Sequence, residues 1–214
     1  MAAFRRIYNF RRVVEDIYPN LARSFEDAGV RRFVELGGGR GPISALLAAR
    51  GVRTCVVDLD RHMLAEACRP GVQADMVRLP LTDNCLDGAA AVNCLYFLSQ
   101  PLCALHEARR VVRSGGVFVA SSPSRWNDPE LKGIDPGWGA ASSFDAEDAP
   151  SLVAEVFGKI EVDRWRVSAY VLPDRAAIAD YLHAFNVPDW EDRARRIVPP
   201  LTITKVGAHV WARA

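Results

Sequence analysis

From Val34 to Gly41 the chain reads Val-Glu-Leu-Gly-Gly-Gly-Arg-Gly, and Asp58 closes the next apolar run, Thr54 to Asp58. Glycine lacks the Cβ that would hold a ligand away from the backbone, and it adopts positive φ without steric cost. A strand that runs into such a turn presents backbone N–H groups to a nucleotide-like ligand, and an acid ending the following strand accepts hydroxyl protons from it. A nicotinamide-binding turn would read Gly-x-Gly-x-x-Gly. Counted from Gly37, the third position is Pro42, and no other glycine frame restores the spacing.

The remaining chemistry-bearing residues are spread along the chain. Five cysteines, Cys55, Cys68, Cys85, Cys94 and Cys103, contain no Cys-x-x-Cys pair and read as reduced, mostly buried thiols. Cys94 has apolar neighbours that supply nothing to lower its pKa, so it is no candidate nucleophile. Four histidines, His62, His106, His183 and His209, read as solvated or structurally satisfied. Aromatic residues are the better candidates for contact with a substrate: Tyr8, Phe10 and Tyr18 near the start, Tyr96 and Phe97 after a strand, Trp126 and Trp138 in a long loop. Arg125, Asp128 and Glu130 share that loop and could orient polar groups.

Regular elements must position these groups. An opening helix carries Val14, Ile17, Leu21 and Phe25 at three- and four-residue steps, with Pro19 as a break. Strand and helix signals then alternate. Strands are predicted at Arg32–Leu36, Thr54–Asp58, Gln73–Val77, Gly88–Cys94 and Gly116–Ser121. Helices are predicted at Ile43–Ala49, Met63–Cys68 and Ser99–Val112, the last started by Ser99 and Pro101 and ended by Gly115-Gly116. Alternation of this kind predicts a parallel sheet covered by helices on both faces. Pro123 to Phe144 has no supporting periodicity and reads as a loop that is either functional or disordered. Beyond it the patterns predict helix Ala146–Phe157, strand Ile160 to about Val171, helix Asp174–Phe185, a short helix near Trp190–Arg196 and a final strand Leu201–Ala212.

Glu35-x-Gly37-x-Gly39-x-Gly41 resembles the first motif of class I S-adenosylmethionine-dependent methyltransferases, of the small-molecule, type 11-like branch. Cys55-Val-Val-Asp-Leu-Asp-Arg-His-Met-Leu64 resembles the second. Ala74-Asp75-Met76, with Arg78-Leu-Pro-Leu and Asp87 after it, resembles the adenine-binding segment. Val92-Asn-Cys-Leu-Tyr-Phe97 and Glu107-Ala-Arg-Arg-Val-Val-Arg-Ser-Gly-Gly116 resemble the fourth strand and the helix that leads into the fifth. The match covers roughly Tyr8 to Ser122, and the joint spacing is more specific than any one motif.

The resemblance implies an α/β Rossmann-like fold with a seven-stranded, mostly parallel sheet in the order 3-2-1-4-5-7-6. It implies a single domain over 1–214, with an N-terminal helical cap at 1–30, a substrate-side loop at 123–144 and a helical insertion at 173–198. The implied cofactor is S-adenosyl-L-methionine, held by Glu35, Gly37, Gly38, Gly39, Asp58, Leu59, Met63, Asp75, Met76 and Asn93. In that assignment Asp58 takes the ribose hydroxyls, Met63 packs on the purine and Asp75 takes the exocyclic amine. Glu35 either tethers the methionine ammonium or braces the turn. The methionine carboxylate meets the amides at Gly41–Ser44. Tyr8, Tyr96 and Trp126 are the implied substrate-pocket residues. Relatives often place a histidine after the fourth strand, where this chain has Leu95-Tyr96-Phe97.

Composition narrows the partners. A formal charge of +1 over 214 residues offers no broad field for nucleic acid or an anionic membrane. No Asn/Asp-Pro-Pro-Tyr sequence follows the fourth strand, and no run reaches membrane-spanning length. With no signal-peptide core, the expectation is a cytoplasmic enzyme without a metal, acting on a small, flat, apolar metabolite in specialised biosynthesis. It works alone, as a homodimer or with a partner enzyme. Two other readings share the fold: a ring closure with the sulfonium as leaving group, and a non-catalytic subunit.

Overall fold

A computed structural model describes residues 17–67 and 70–214. The expectations for Tyr8, Phe10, Val14 and Cys68 fall outside these residues. Contacts divide the described chain into two compact units, residues 17–67, 70–122, 142–164 and 208–214 in one, and 123–141 with 165–207 in the other.

The elements in chain order are α1 (Ile17–Asp27), β1 (Arg32–Leu36), α2 (Pro42–Ala48), β2 (Arg53–Asp58), α3 (Arg61–Ala65), β3 (Gly71–Gln73), β4 (Leu86–Val92), α4 (Pro101–Val111), β5 (Val112–Pro123), α5 (Ala149–Phe157), β6 (Ile160–Leu172), α6 (Arg175–Ala184), α7 (Trp190–Arg196) and β7 (Leu201–Arg213). One sheet contains all seven strands in the order β3-β2-β1-β4-β5-β7-β6. The pairs β1–β2, β1–β4, β2–β3 and β4–β5 are parallel. β7 runs against β5, because the Gly115 N–H donates to the Ala214 carbonyl at 2.7 Å and the Ala214 N–H returns to Gly116 at 3.0 Å.

The first unit buries both faces of its central strands. Val34, Leu36, Ala89, Ala91, Phe118 and Ala120 meet α4 and α5 through Leu105, Ala108 and Val153. The alternate residues Phe33, Ala90, Val117 and Val119 meet Leu21 and Phe25 of α1 and Ile43 and Leu47 of α2. Burial on both faces explains why β4, Leu-Asp-Gly-Ala-Ala-Ala-Val, is apolar nearly throughout rather than alternating. The second unit has its own core, in which Ile178, Tyr181 and Leu182 of α6 pack with Leu131, Leu172, Ala194 and Ile203.

Two local expectations are corrected. Gly115-Gly116 do not end α4, which stops at Val111. They form an irregularity inside β5, where the register passes from Leu86↔Val112 to Gly88↔Val117. Gly115 has φ +75°, and a Cβ on Gly116 would lie 2.5 Å from Val112 Cγ1 and 2.8 Å from the Asp87 carbonyl, so the local crowding selects glycine. Gln100, not Ser99, precedes the first residue of α4, without a side-chain cap.

Candidate functional site

The glycine turn at the end of β1 is built from below by Glu35. Its carboxylate is 2 % exposed and accepts the N–H groups of Ile43 at 3.3 Å and Ser44 at 2.8 Å. These are two orphan donors of the first turn of α2, so Glu35 ties the strand to the helix that follows the turn. Burial pushes its carboxyl up to about 7, against the opposing pull of the Ser44 and Ile43 hydrogen bonds. The expectation that a ligand carboxylate meets the amides at Gly41–Ser44 is corrected. The Gly41 N–H donates to Gly38, Pro42 has none, and Ile43 and Ser44 serve Glu35.

Asp58, at the end of β2, closes the turn from the side. Its Oδ2 accepts the Gly39 N–H at 2.8 Å and its Oδ1 accepts the Asp60 N–H at 2.8 Å. Asp60 in turn caps α3, accepting from His62 at 2.8 Å and Met63 at 3.4 Å, which fixes Met63 one turn from Asp58. The Gly38 N–H donates to the Val57 carbonyl at 3.2 Å.

Met63 and Met76 both reach the turn. A Cβ on Gly39 (φ +54°) would lie 3.0 Å from Met63 Cε, and one on Gly37 (φ +55°) would lie 2.7 Å from Met76 Cε and 2.6 Å from Cys94 Cβ. The two thioether tips therefore lie against the two glycines whose φ no side-chain-bearing residue adopts cheaply. Asp75, beside Met76, holds its own loop with an Asx turn, its Oδ1 accepting the Val77 N–H at 3.0 Å. Leu59 is 60 % exposed beside Asp58. Asn93 ends β4 with φ +54°, its N–H donating to Ser121 at 2.9 Å.

The first unit thus brings Glu35, Gly37, Gly38, Gly39, Asp58, Leu59, Met63, Asp75, Met76 and Asn93 to the carboxyl ends of β1, β2, β3 and β4. Tyr96 follows β4 in a one-turn 3₁₀ helix, Leu95–Phe97, its carbonyl accepting the Ser143 hydroxyl at 3.2 Å. Burial, then the neighbouring Cys94 and Tyr18, pushes its phenol well above the usual range. Cys94 donates its thiol to the Leu36 carbonyl at 3.2 Å, and burial raises its pKa, which suits a packing role. Trp126 belongs to the second unit, half exposed, 5.0 Å from Trp138 and anchored by its N–H to Ser124 Oγ.

Some residues have more chemistry than their sequence context suggests. Phe97 is 79 % exposed, where its type and neighbours predict packing. His209 is buried, with Nδ1 2.9 Å from Ser121 Oγ at the carboxyl end of β5, and burial lowers its pKa. Only the pairing of distant β7 with β5 brings it there, so no local signal marks it. Among the described residues no group of His, Cys, Asp and Glu is arranged to hold a metal ion. No helix among them is long and apolar enough to cross a membrane.

Residues 34–120 match a family model described as a methyltransferase domain. Solved structures of the same fold include a protein from Anabaena variabilis whose name places it as a methyltransferase of an antibiotic biosynthesis pathway. It is 16% identical, with TM-score 0.64, over 94% of this chain and 98% of that one. A methyltransferase from Archaeoglobus fulgidus, named as dependent on S-adenosylmethionine, is 17% identical with TM-score 0.61, covering 92% and 93%. The [4+2]-cyclase SpnF is 20% identical with TM-score 0.60, covering 92% and 80%. No curated protein sequence matches the chain significantly.

Proposed function

We propose that this chain, whose residues 34–120 match a methyltransferase-domain model, is a class I S-adenosylmethionine-dependent methyltransferase that transfers a methyl group from this cofactor to a small aromatic metabolite in specialised biosynthesis. One observation carries the reading: the glycine turn is closed by Asp58 on Gly39 and faced by the Met63 and Met76 tips. The residues fit the group. A cradle of glycines, a carboxylate at a strand end, two thioethers and a second carboxylate in the Asp75 loop match a methionine portion, a ribose and an adenine in turn.

When bound, S-adenosylmethionine supplies a methyl group on a sulfonium. Asp58 would hold the ribose hydroxyls, Asp75 the exocyclic amine, and Met63, Met76 and Leu59 the purine faces. Gly37 to Gly39 would accommodate the methionine portion, with Glu35 bracing the turn beneath. Positioning supplies much of the rate in a displacement that neutralises charge, so a strong general base is not required. Tyr96 and the exposed Phe97 suit a flat, uncharged acceptor. A formal charge of +1 supports a small molecule over nucleic acid, and a cytoplasmic location accords with the sequence.

A second reading rests on the [4+2]-cyclase of the same fold, since a shared fold does not determine the reaction. Calorimetry with S-adenosylhomocysteine tests the cofactor: no binding would sink both readings. Label transfer from methyl-labelled S-adenosylmethionine to a co-purifying or neighbouring-pathway metabolite supports methylation, whereas an unlabelled, rearranged product supports the cyclase reading.

A further inference from the structure

The segment from Ala74 to Cys85, which carries Asp75 and Met76, crosses from β3 to β4 without a strand or helix of its own. Its centre is nonetheless held tightly by two residues of α4. The Leu79 N–H donates to Glu107 Oε2 at 2.7 Å. Arg110 Nη2 donates to the Leu79 carbonyl at 3.2 Å, and Nη1 donates to the Leu81 carbonyl and to Asp83 Oδ1, both at 2.7 Å. The remaining donors, Nε and Nη2, go to the two oxygens of Glu107 at 2.7 Å each. A guanidinium has five N–H donors, and these contacts match that number. The Arg110 carbonyl closes the set by accepting the Asn84 N–H at 2.9 Å.

Such a saturated fork fixes the segment in three dimensions. Leu79 is 5 % exposed and clamped on both its N–H and its carbonyl, so it cannot shift without breaking several bonds. The Asx turn of Asp75 on Val77, and the Arg78 N–H on the Asp75 carbonyl at 3.0 Å, relay that placement rigidly to Asp75 and Met76. At the other end of the relay, Met76 Cε lies against Gly37. An ammonium is a point donor without the planar fork, so lysine cannot replace this arginine.

We propose that Glu107 and Arg110 are positioning residues of the donor site, holding the 75–83 segment in the register that selects an adenine base. The assignment rests on the reading of the cleft as an S-adenosylmethionine site, and it adds the origin of its base preference. Glu107 and Arg110 act through Leu79, Leu81 and Asp75.

The test compares S-adenosylhomocysteine with S-inosylhomocysteine, whose purine bears a carbonyl in place of the amine, by calorimetry on the wild type, Arg110→Lys and Glu107→Gln. Thermal melts confirm that each protein is folded. The expected result is an S-adenosylhomocysteine affinity about tenfold lower in the variants, with a smaller change for the inosine analogue, so that the adenine preference contracts. Folded variants that keep both the affinity and the preference would overturn the positioning role and leave the donor reading intact. A wild type that binds neither ligand would overturn the donor reading and this assignment with it. Should Arg110→Lys not fold, Glu107→Gln, which retains the shape while giving up the charge and one of the two acceptor oxygens, decides by the same ratio.

Discussion

Asp58 engages one backbone N–H on each oxygen, while a carboxylate offers about four lone-pair sites, so the residue can brace the turn and still accept ribose hydroxyls. Charge-assisted hydrogen bonds are the stronger kind, and Asp58→Ala is expected to weaken S-adenosylhomocysteine binding about 100-fold by calorimetry. Unchanged affinity would remove the ribose role. Glu35 makes a different prediction, about protons. Its carboxyl is raised from 4.5 to about 7 by burial. Between those values the unfolded chain ionises while the fold retains the proton, so stability falls as pH rises through that window. The loss amounts to about 3 kcal/mol at pH 8. Urea unfolding at pH 5 and pH 8 should show the decline in the wild type, and Glu35→Gln should abolish it. That both acids border the glycine turn was legible from spacing and from the resemblance to the family's motifs. That Glu35 occupies the amides of α2 was not, because hydrogen-bond partners of a buried carboxylate are set by how strand and helix meet.

Elements supply the restraint that single residues cannot. At the amino end of the sheet, Asp87 of β4 joins β1 to β5: its Oδ2 accepts the Arg31 and Arg32 N–H groups at 3.1 and 2.8 Å, and its Oδ1 meets the Arg113 guanidinium at 2.8 Å. These donors outweigh burial and lower its carboxyl from 3.8 to about 2. The sign is opposite to that of Glu35, with stability complete above 3.8 and lost as pH falls towards 2. Asp87→Asn should therefore cost about 2 kcal/mol near neutral pH and remove the acid limb between pH 4 and pH 2 in urea titrations. An unaltered limb would mean that other carboxylates carry it. The sequence placed Asp87 only as part of an adenine-segment resemblance. Its structural work lies in the pairing of three strands that are distant in the chain. Gly115-Gly116 illustrate the same limit, since two glycines after a helix read locally as its end, whereas crowding by Val112 and the Asp87 carbonyl makes them part of β5.

At the scale of the whole molecule, the second unit has a polar centre that composition does not reveal. Lys205 Nζ lies 2.7 Å from Asp128 Oδ1, 4.2 Å from the centre of the Phe185 ring and 5.2 Å from that of Tyr181, whose hydroxyl donates to Asp128 Oδ2 at 2.8 Å. Asp128 has φ +55°. Removing one partner of a buried ion pair leaves the other uncompensated, so Lys205→Met should destabilise the protein by about 3–5 kcal/mol, and adding Asp128→Asn should recover much of that. Denaturant unfolding of the single and double variants measures it, and a double variant no better than the single would refute the pair as the cause. By itself, the sequence determined the alternation of strands and helices and the glycine turn with its acids, because these depend on periodicity and on residue types a few positions apart. The tertiary structure decided that Glu35 occupies the helix amides, that Phe97 faces solvent, that His209 reaches Ser121 and that Arg110 fastens the Leu79 loop. These outcomes depend on which groups distant in the chain come within contact, about 3 Å for a hydrogen bond, or stay away, and local sequence carries no measure of that distance.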